Sequence, residues 1–306
     1  MMTTVSSFIA STLRLATPTL IAALGIVFSE RAGVVNIGTE GMMLMGALAG
    51  VMGSYYTGSA LLGALIAMLT GCLFAMIFAF FTVSIKADQT VIGTGLNILA
   101  SGLTITINRA VFGASTSPPK ISTFGAVELP LLSRIPILGE AVFSQPLPVY
   151  IALLLVPLAQ FVMMHCNVGL KVRAVGENPK ACDTVGINVS KTRFLAVLYS
   201  GIMAGFAGAF VSMGQMTFFT ENMIAGGGFI ALAAVVFGNY TPLGVLISSL
   251  VFGASNAIMF RLQAASTGIP SQFALMLPYV ITIAAICVVL RRSNRPASSA
   301  KPYIKE

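Results

Sequence analysis

Apolar residues fall in long runs along this chain, without the stripes of a surface helix or the alternation of a strand. Runs of about 20 residues recur near 8–28, 41–56, 59–84, 91–112, 147–164, 194–215, 223–238, 243–260 and 272–290. A helix of that length crosses the hydrocarbon core of a bilayer and satisfies its own backbone there. The pattern therefore predicts an all-α polytopic membrane protein with about nine transmembrane helices. Between the fourth and fifth runs, 113–146 is polar and broken by prolines at 118, 119, 130, 136 and 146, which predicts a loop built from proline turns.

Composition agrees. Charged residues make up 8% of the 306 residues and hydrophobic ones 57%, with a mean hydropathy of +0.93, against roughly 25% charged in soluble domains. Residues 1–13 carry no charge and no small-residue cleavage site follows, so the first run is expected to remain as a span.

Basic residues orient the spans. With the C-terminus inside, alternation puts the loops around 29–40, 85–90, 165–193 and 238–242 inside as well. Those segments and the tail hold Arg31, Lys86, Lys171, Arg173, Lys180, Lys191, Arg193, Arg291, Arg292, Arg295, Lys301 and Lys305, which is 12 of the 17 basic residues. The positive-inside rule then predicts a cytoplasmic C-terminus and an external N-terminus. One membrane domain is expected over 1–290, with the loop 165–193 inside and 113–146 outside, followed by a basic cytoplasmic tail over 291–306. The net charge of +8 follows from this bias and implies no nucleic-acid partner. RRSNRP in the tail reads as an anchor at the lipid surface.

Reactive chemistry is sparse. Cys72, Cys166, Cys182 and Cys287 lack CxxC spacing and read as free thiols. His165 is the one histidine, a poor basis for a metal site. With no nucleophile and base pair, no catalytic residue is expected and the chain does not read as an enzyme. There is no GxxxxGK[ST] phosphate loop, so ATP is not bound by that route, and GTGLN at 93–97 has the wrong spacing for a dinucleotide site and reads as packing.

One polar stretch stands out. GENPKACDTVGIN, at 176–188, lies between apolar runs yet carries the start and stop signals of a two-turn helix. Asn178 suits the N-cap, Pro179 the first helical position, and Gly186 the left-handed residue that ends a helix. A solvated connector needs no capped helix. The alternative is a docking peg over 179–185, in which Ala181 and Val185, four residues apart, present one face to a partner.

The segment KVRAVGENPKACDTVGINVSKTRFLAVLYSGIMAGFAGA resembles the cytoplasmic loop and following span of permease subunits of bacterial ABC importers, the group that includes the ribose and branched-chain amino acid permeases. LRLATPTLIAALGIVFSERAGVVNIGTEGMMLMGA is most similar to the shorter permease of nucleoside importers that use basic-membrane-protein-type lipoproteins. The resemblance implies that the helix 179–185 is a coupling helix seated in a groove of an ABC ATPase subunit. Its coupling residues would be Glu177, Asn178, Pro179, Lys180, Ala181, Asp183, Val185 and Gly186. It further implies no cofactor in this chain, with ATP and Mg bound by the partner ATPase. A second, non-identical permease subunit, an extracytoplasmic substrate-binding lipoprotein and membrane lipid complete the partners, in a bacterial cytoplasmic membrane. Cys182 stands where the family is expected to have a small residue such as alanine.

Two stretches, ERAGVVNIGTEGMM at 30–43 and ENMIAGGGFIALAA at 221–234, interrupt apolar spans with glycine and polar residues. The spans preceding them run in opposite senses, the arrangement expected of an inverted repeat whose interrupted segments mark the transport path. Unwound backbone at membrane depth is tolerated only where it lines a cavity or is buried in protein. Asn36, Gly38, Thr39, Glu40, Gly41, Asn222, Gly226, Gly227 and Gly228 are therefore candidate path residues. The competing reading is close helix packing at the glycines and an interfacial ion-pair cluster of Glu30, Arg31 and Glu40. Arg14 reads as snorkelling to the outer interface. Met42, Met43 and Met45 read as a soft apolar surface in the core.

The leading expectation is a permease subunit of an ATP-driven nucleoside importer that works by alternating access. A sugar, a branched-chain amino acid or a flavin remains open as substrate. A secondary transporter would need carboxylates at the midplane, whereas these fall near predicted span ends.

Overall fold

Among the described residues, six of the nine predicted runs form helices long and apolar enough to cross a membrane. The computed structural model describes residues 2–113, 120–128, 142–264, 276, 280, 281, 283 and 294–304. Helix α1 covers Met2–Arg31, α2 Thr39–Thr57, α3 Ala60–Ala79, α4 Gln89–Phe112 and α5 Leu147–His165. The short helices α6, Asn167–Glu177, and α7, Pro179–Thr184, lead into α8, Val189–Phe210; α9, Gly227–Phe237, and α10, Pro242–Ala264, follow. Single π-turns at Phe80–Ser84 and Val211–Gln215 extend α3 and α8. A short antiparallel pair, Ala126–Glu128 with Ser144–Pro146, precedes α5.

The three remaining runs differ for separate reasons. Run 41–56 forms α2, whose Glu40 and glycines dilute its hydropathy. Run 223–238 yields only α9, whose eleven residues rise about 17 Å, close to half of the ~30 Å hydrocarbon core. Most of run 272–290 lies outside the described residues, as does most of the loop 113–146.

Helix α8 is the centre of the bundle and packs along α1, α2 and α3. Between helices in lipid there is little hydrophobic driving force, so association rests on close approach of small residues. That requirement is met at two glycines of α8. A side chain at Gly208 would run into the Met43 carbonyl of α2, and one at Gly205 into the Ala67 carbonyl of α3. The opposite faces of α3 and α4 carry exposed apolar residues such as Leu69 and Ile98, as a lipid-facing surface should.

The two ends of the bundle differ in charge. One end gathers Arg31 beside Tyr240, Lys86 beside Asp183 and Tyr303, and Arg193 beside Lys301. We call it the basic end. The other end carries the starts of α1 and α5 and the ends of α2 and α8, joined by Arg14 to Gln145 and by Gln215 to the Arg14 carbonyl. Arg14 thus has a protein partner in addition to the solvent-facing role that snorkelling implies.

Replacing Gly205 with Val should force α8 away from α3 at a cost of roughly 1–3 kcal/mol or more. The expected result is a lower thermal unfolding midpoint for the purified protein in detergent. An unchanged midpoint would show that the close approach does not hold the bundle together.

Candidate functional site

The two glycine-interrupted stretches meet in space. After α1 ends, the chain turns through Gly33, in the left-handed region at φ 90°, and stays irregular to Gly38, where α2 begins. Backbone groups freed by this break are taken up by side chains of α4. Val35 N–H donates to Gln89 Oε1 at 2.9 Å. Asn97 closes both sides of the break, its Nδ2 donating to the Ile37 carbonyl at 3.0 Å and its Oδ1 accepting from Gly41 N–H at 2.8 Å. Asn36 is fully buried; its Nδ2 donates to Ser200 Oγ at 3.1 Å, and its Oδ1 has no partner among the described residues. Buried Thr39 donates to the Asn36 carbonyl at 2.6 Å.

The second break follows α8. Thr217, Asn222, Ala225 and Gly226 all adopt positive φ, so the chain coils tightly before α9 starts. Gly226 offers no side-chain cap, and the cap comes from a residue 186 positions away: Glu40 Oε1 accepts from Gly226 N–H at 2.8 Å. Glu40 Oε2 accepts from Gly228 N–H at 2.6 Å. Since Glu40 lies in the first turn of α2, its carboxylate sits between two helix N-termini, where both dipoles favour negative charge. Only glycine fits at 228, because a Cβ there would lie 2.6 Å from the Glu40 backbone. Gly227 packs near Ile224, while exposed Asn222 accepts from Ser101 Oγ at 2.8 Å.

Glu30, Arg31 and Glu40 do not form the ion-pair cluster that was the competing reading. Arg31 Nε donates to the Tyr240 carbonyl at 2.8 Å, and Glu40 is held by backbone amides. The ion pair of this region lies instead between Arg109 of α4 and Glu221, at 2.8 Å, with both side chains partly exposed at 63% and 43%.

Sequence reading missed the residues of α4 that hold both breaks. Gln89, Asn97, Ser101 and Arg109 are spaced by multiples of four, a row that winds slowly round the helix because each step of four drifts by about 40°, so its start meets the first break and its end the second; Gly93, in the same row, packs against Ile37. That polar stripe in an otherwise apolar run was the available signal. Asn97 belongs to GTGLN, and its role is to satisfy backbone as well as to pack.

At the basic end, α7 has the local design its sequence predicts. Asn178 Oδ1 accepts from Ala181 N–H at 3.1 Å, and Pro179 fills the first helical position. Gly186 is left-handed at φ 81°; its N–H donates to the Asp183 carbonyl, and Ile187 N–H donates to the Cys182 carbonyl, each at 3.0 Å. This pair of bonds is the Schellman stop. Lys180, Ala181 and Val185 are exposed, Val185 at 74%. Cys182 faces inward against Val175 and Val189, which explains a small residue there, and burial raises its thiol above the usual range.

The tail is folded onto this region. Arg193, only 3% exposed, donates to the Ala32 carbonyl at 3.1 Å, to the Lys301 carbonyl at 2.8 Å and to Ser298 Oγ at 3.2 Å. Ser298 Oγ donates to the Gly176 carbonyl at 2.6 Å, and Ala297 N–H donates to Glu177 Oε2 at 3.4 Å. One buried arginine therefore joins the first break, the start of α8 and the tail.

The sequence pattern of the family described as "Branched-chain amino acid transport system / permease component" matches residues 8–286. The chain belongs to this permease family. It is 40% identical to the guanosine ABC transporter permease protein NupQ of Bacillus subtilis, over 98% of this chain and 97% of NupQ. It is 38% identical to the nucleoside ABC transporter permease protein NupC of Lactococcus lactis, over 99% and 98% of the two chains. A putative glucose ABC transporter permease protein of Haloferax volcanii, TsgC13, is 38% identical over 84% of this chain and 78% of its own. Bacillus subtilis also has a second guanosine permease, NupP, 25% identical over 95% of this chain and 86% of its own, so related systems hold more than one permease. No solved structure gives a significant match to this chain. As a member of a permease family the protein is a transport component and not an enzyme.

Glu40→Ala should leave the Gly226 and Gly228 amides unpaired, each at a cost of about 1–3 kcal/mol. Glu40→Gln keeps one good acceptor and should fall between the parent and Glu40→Ala in thermal stability. Equal midpoints for all three proteins would remove the carboxylate from its bridging role.

Proposed function

We propose that this chain is the permease subunit of an ATP-driven ABC importer of nucleosides, forming half of a translocation path with a second, non-identical permease. The observation that carries this reading is the end-to-end similarity to NupQ, a permease named for guanosine. The chain crosses the membrane nine times, with α9 and the coil before it completing one crossing, and the two breaks occupy corresponding places of an inverted repeat. Its basic end faces the cytoplasm, in keeping with the positive-inside rule. ATP and Mg bind to the partner ATPase, and a substrate-binding lipoprotein delivers the ligand from outside.

In this mechanism α7 is the element the ATPase pushes. A six-residue helix stopped at both ends transmits displacement instead of absorbing it, and Ala181 and Val185 offer the contact face. Arg193 ties the start of α8 to the first break, so movement at the basic end reaches the junction where Glu40 holds α2 against α9. Asn222, Gly226 and Gly227 border the accessible side of this junction, and Asn36, Gly38, Thr39, Gly41 and Gly228, buried in this state, become its walls when the junction opens. A nucleoside is neutral and rich in hydrogen-bonding groups, which suits amide and hydroxyl walls without fixed basic charge. Similarity to TsgC13 favours a sugar as the second reading.

Orientation is tested with cysteines introduced at exposed positions, since buried Cys182 reports little. In intact cells a membrane-impermeant thiol reagent should label Thr123→Cys and spare Val185→Cys. Labelling of Val185→Cys from outside would reverse the orientation and remove α7 from reach of an ATPase.

Uptake tests the function. The assembled transporter should accumulate guanosine only with ATP and its ATPase, and excess leucine or glucose should not compete. Ala181→Trp, which overfills the contact face at roughly 1–3 kcal/mol, should cut uptake sharply while the two permeases still co-purify. Competition by glucose would select the sugar reading, and full uptake by Ala181→Trp would refute the coupling role of α7.

A further inference from the structure

A groove of about 680 Å³ opens on the side of the bundle, away from both breaks. Its walls are Leu158 and Val162 of α5 and Leu195, Tyr199 and Met203 of α8, and its basic end is closed by Lys171 of α6 and Lys191 of α8. The transport mechanism gives this slot no role, although Gly186, the stop of α7, lines its basic end. Lys171 and Lys191 are both exposed, and neither ammonium group has a hydrogen bond or ion pair among the described residues.

The dimensions and charge identify an occupant. From Lys191 to Met203 the groove follows about 18 Å of helix rise, close to the ~15 Å depth of one leaflet, half of the hydrocarbon core. An apolar slot one leaflet deep, with two unpaired cations at the headgroup level, matches an acyl chain bearing a phosphate. Basic pockets between membrane helices on the cytoplasmic side are suited to anionic headgroups. A partner protein seated in the groove would have to bring its own carboxylates to the membrane surface to satisfy the lysines, whereas an anionic lipid supplies charge and chain together.

We propose that this groove binds one anionic phospholipid of the cytoplasmic leaflet, its phosphate between Lys171 and Lys191 and one acyl chain along α5 and α8 toward Met203. The lipid fills the space between α5, α6 and α8, and so braces α6, which leads directly into α7. This assignment rests on the orientation proposed above, which the cysteine labelling tests independently.

The test is native mass spectrometry of the transporter complex isolated in detergent, with dioleoyl phosphatidylglycerol or dioleoyl phosphatidylcholine added. Phosphatidylglycerol should remain bound to the parent. The Lys171→Glu, Lys191→Glu double variant should bind it about tenfold less or weaker still, with phosphatidylcholine retention unchanged. Leu195→Trp, which fills the slot and leaves the lysines in place, should lose phosphatidylglycerol while keeping its partner subunits, and inorganic phosphate should not displace the lipid. Equal retention by parent and double variant would overturn the proposal. Displacement by inorganic phosphate would make the site a free-anion site, and loss of the second permease from Leu195→Trp would assign the groove to a subunit contact; either result also overturns it. Failure of ATP-dependent uptake in the parent complex would count against the transport reading and leave the lipid result standing.

Discussion

Both ends of one carboxylate are committed to backbone amides 186 and 188 positions away in sequence, and the arrangement of the broken segments depends on that bridge. A polypeptide can leave helical geometry at membrane depth only if every freed N–H and C=O finds another partner. Glu40 meets this condition for the start of α9, as Asn97 and Gln89 do for the turn before α2. The two breaks are thus a single polar junction inside an apolar bundle. Charge-assisted bonds at helix N-termini are stronger than neutral ones, which suits a joint that holds two broken segments together.

Around this junction the bundle is built by close approach. The glycines of α8 let α2 and α3 come near enough for backbone to meet backbone, and van der Waals contact then does what the hydrophobic effect does in soluble proteins. Apolar side chains that would form a core in water instead face outward, as on α3 and α4. The polar stripe of α4 has the opposite arrangement. It faces the breaks, so the same helix presents lipid with one side and satisfies backbone with the other.

At the basic end, contacts converge on Arg193. A buried guanidinium needs several acceptors to offset its desolvation, and it finds them in a carbonyl of the first break, a carbonyl of the tail and the Ser298 hydroxyl. Because Ser298 also bonds the end of α6, the segments flanking α7 are stitched to the spans. A tail that composition alone assigns to the lipid surface is thereby part of the cytoplasmic-side framework in the proposed orientation.

Two kinds of information were separable in this chain. Run length and hydropathy are local quantities, so the sequence by itself determined the membrane class and the six long apolar helices. Caps and stops are equally local, and Asn178, Pro179 and Gly186 specified α7 to within one residue. The glycines and polar residues at 30–43 and 221–228 marked where helices break, for the same reason. Partnership was not legible, because a hydrogen bond between residues 186 positions apart leaves no trace in either neighbourhood. Glu40 read as path lining, with an ion-pair cluster as the competing reading, Asn97 as packing, and 223–238 as a full span. Only the tertiary structure decided that Glu40 caps α9, that Asn97 closes the first break and that the tail docks through Arg193, since each depends on which backbone groups are left unsatisfied once the helices have packed.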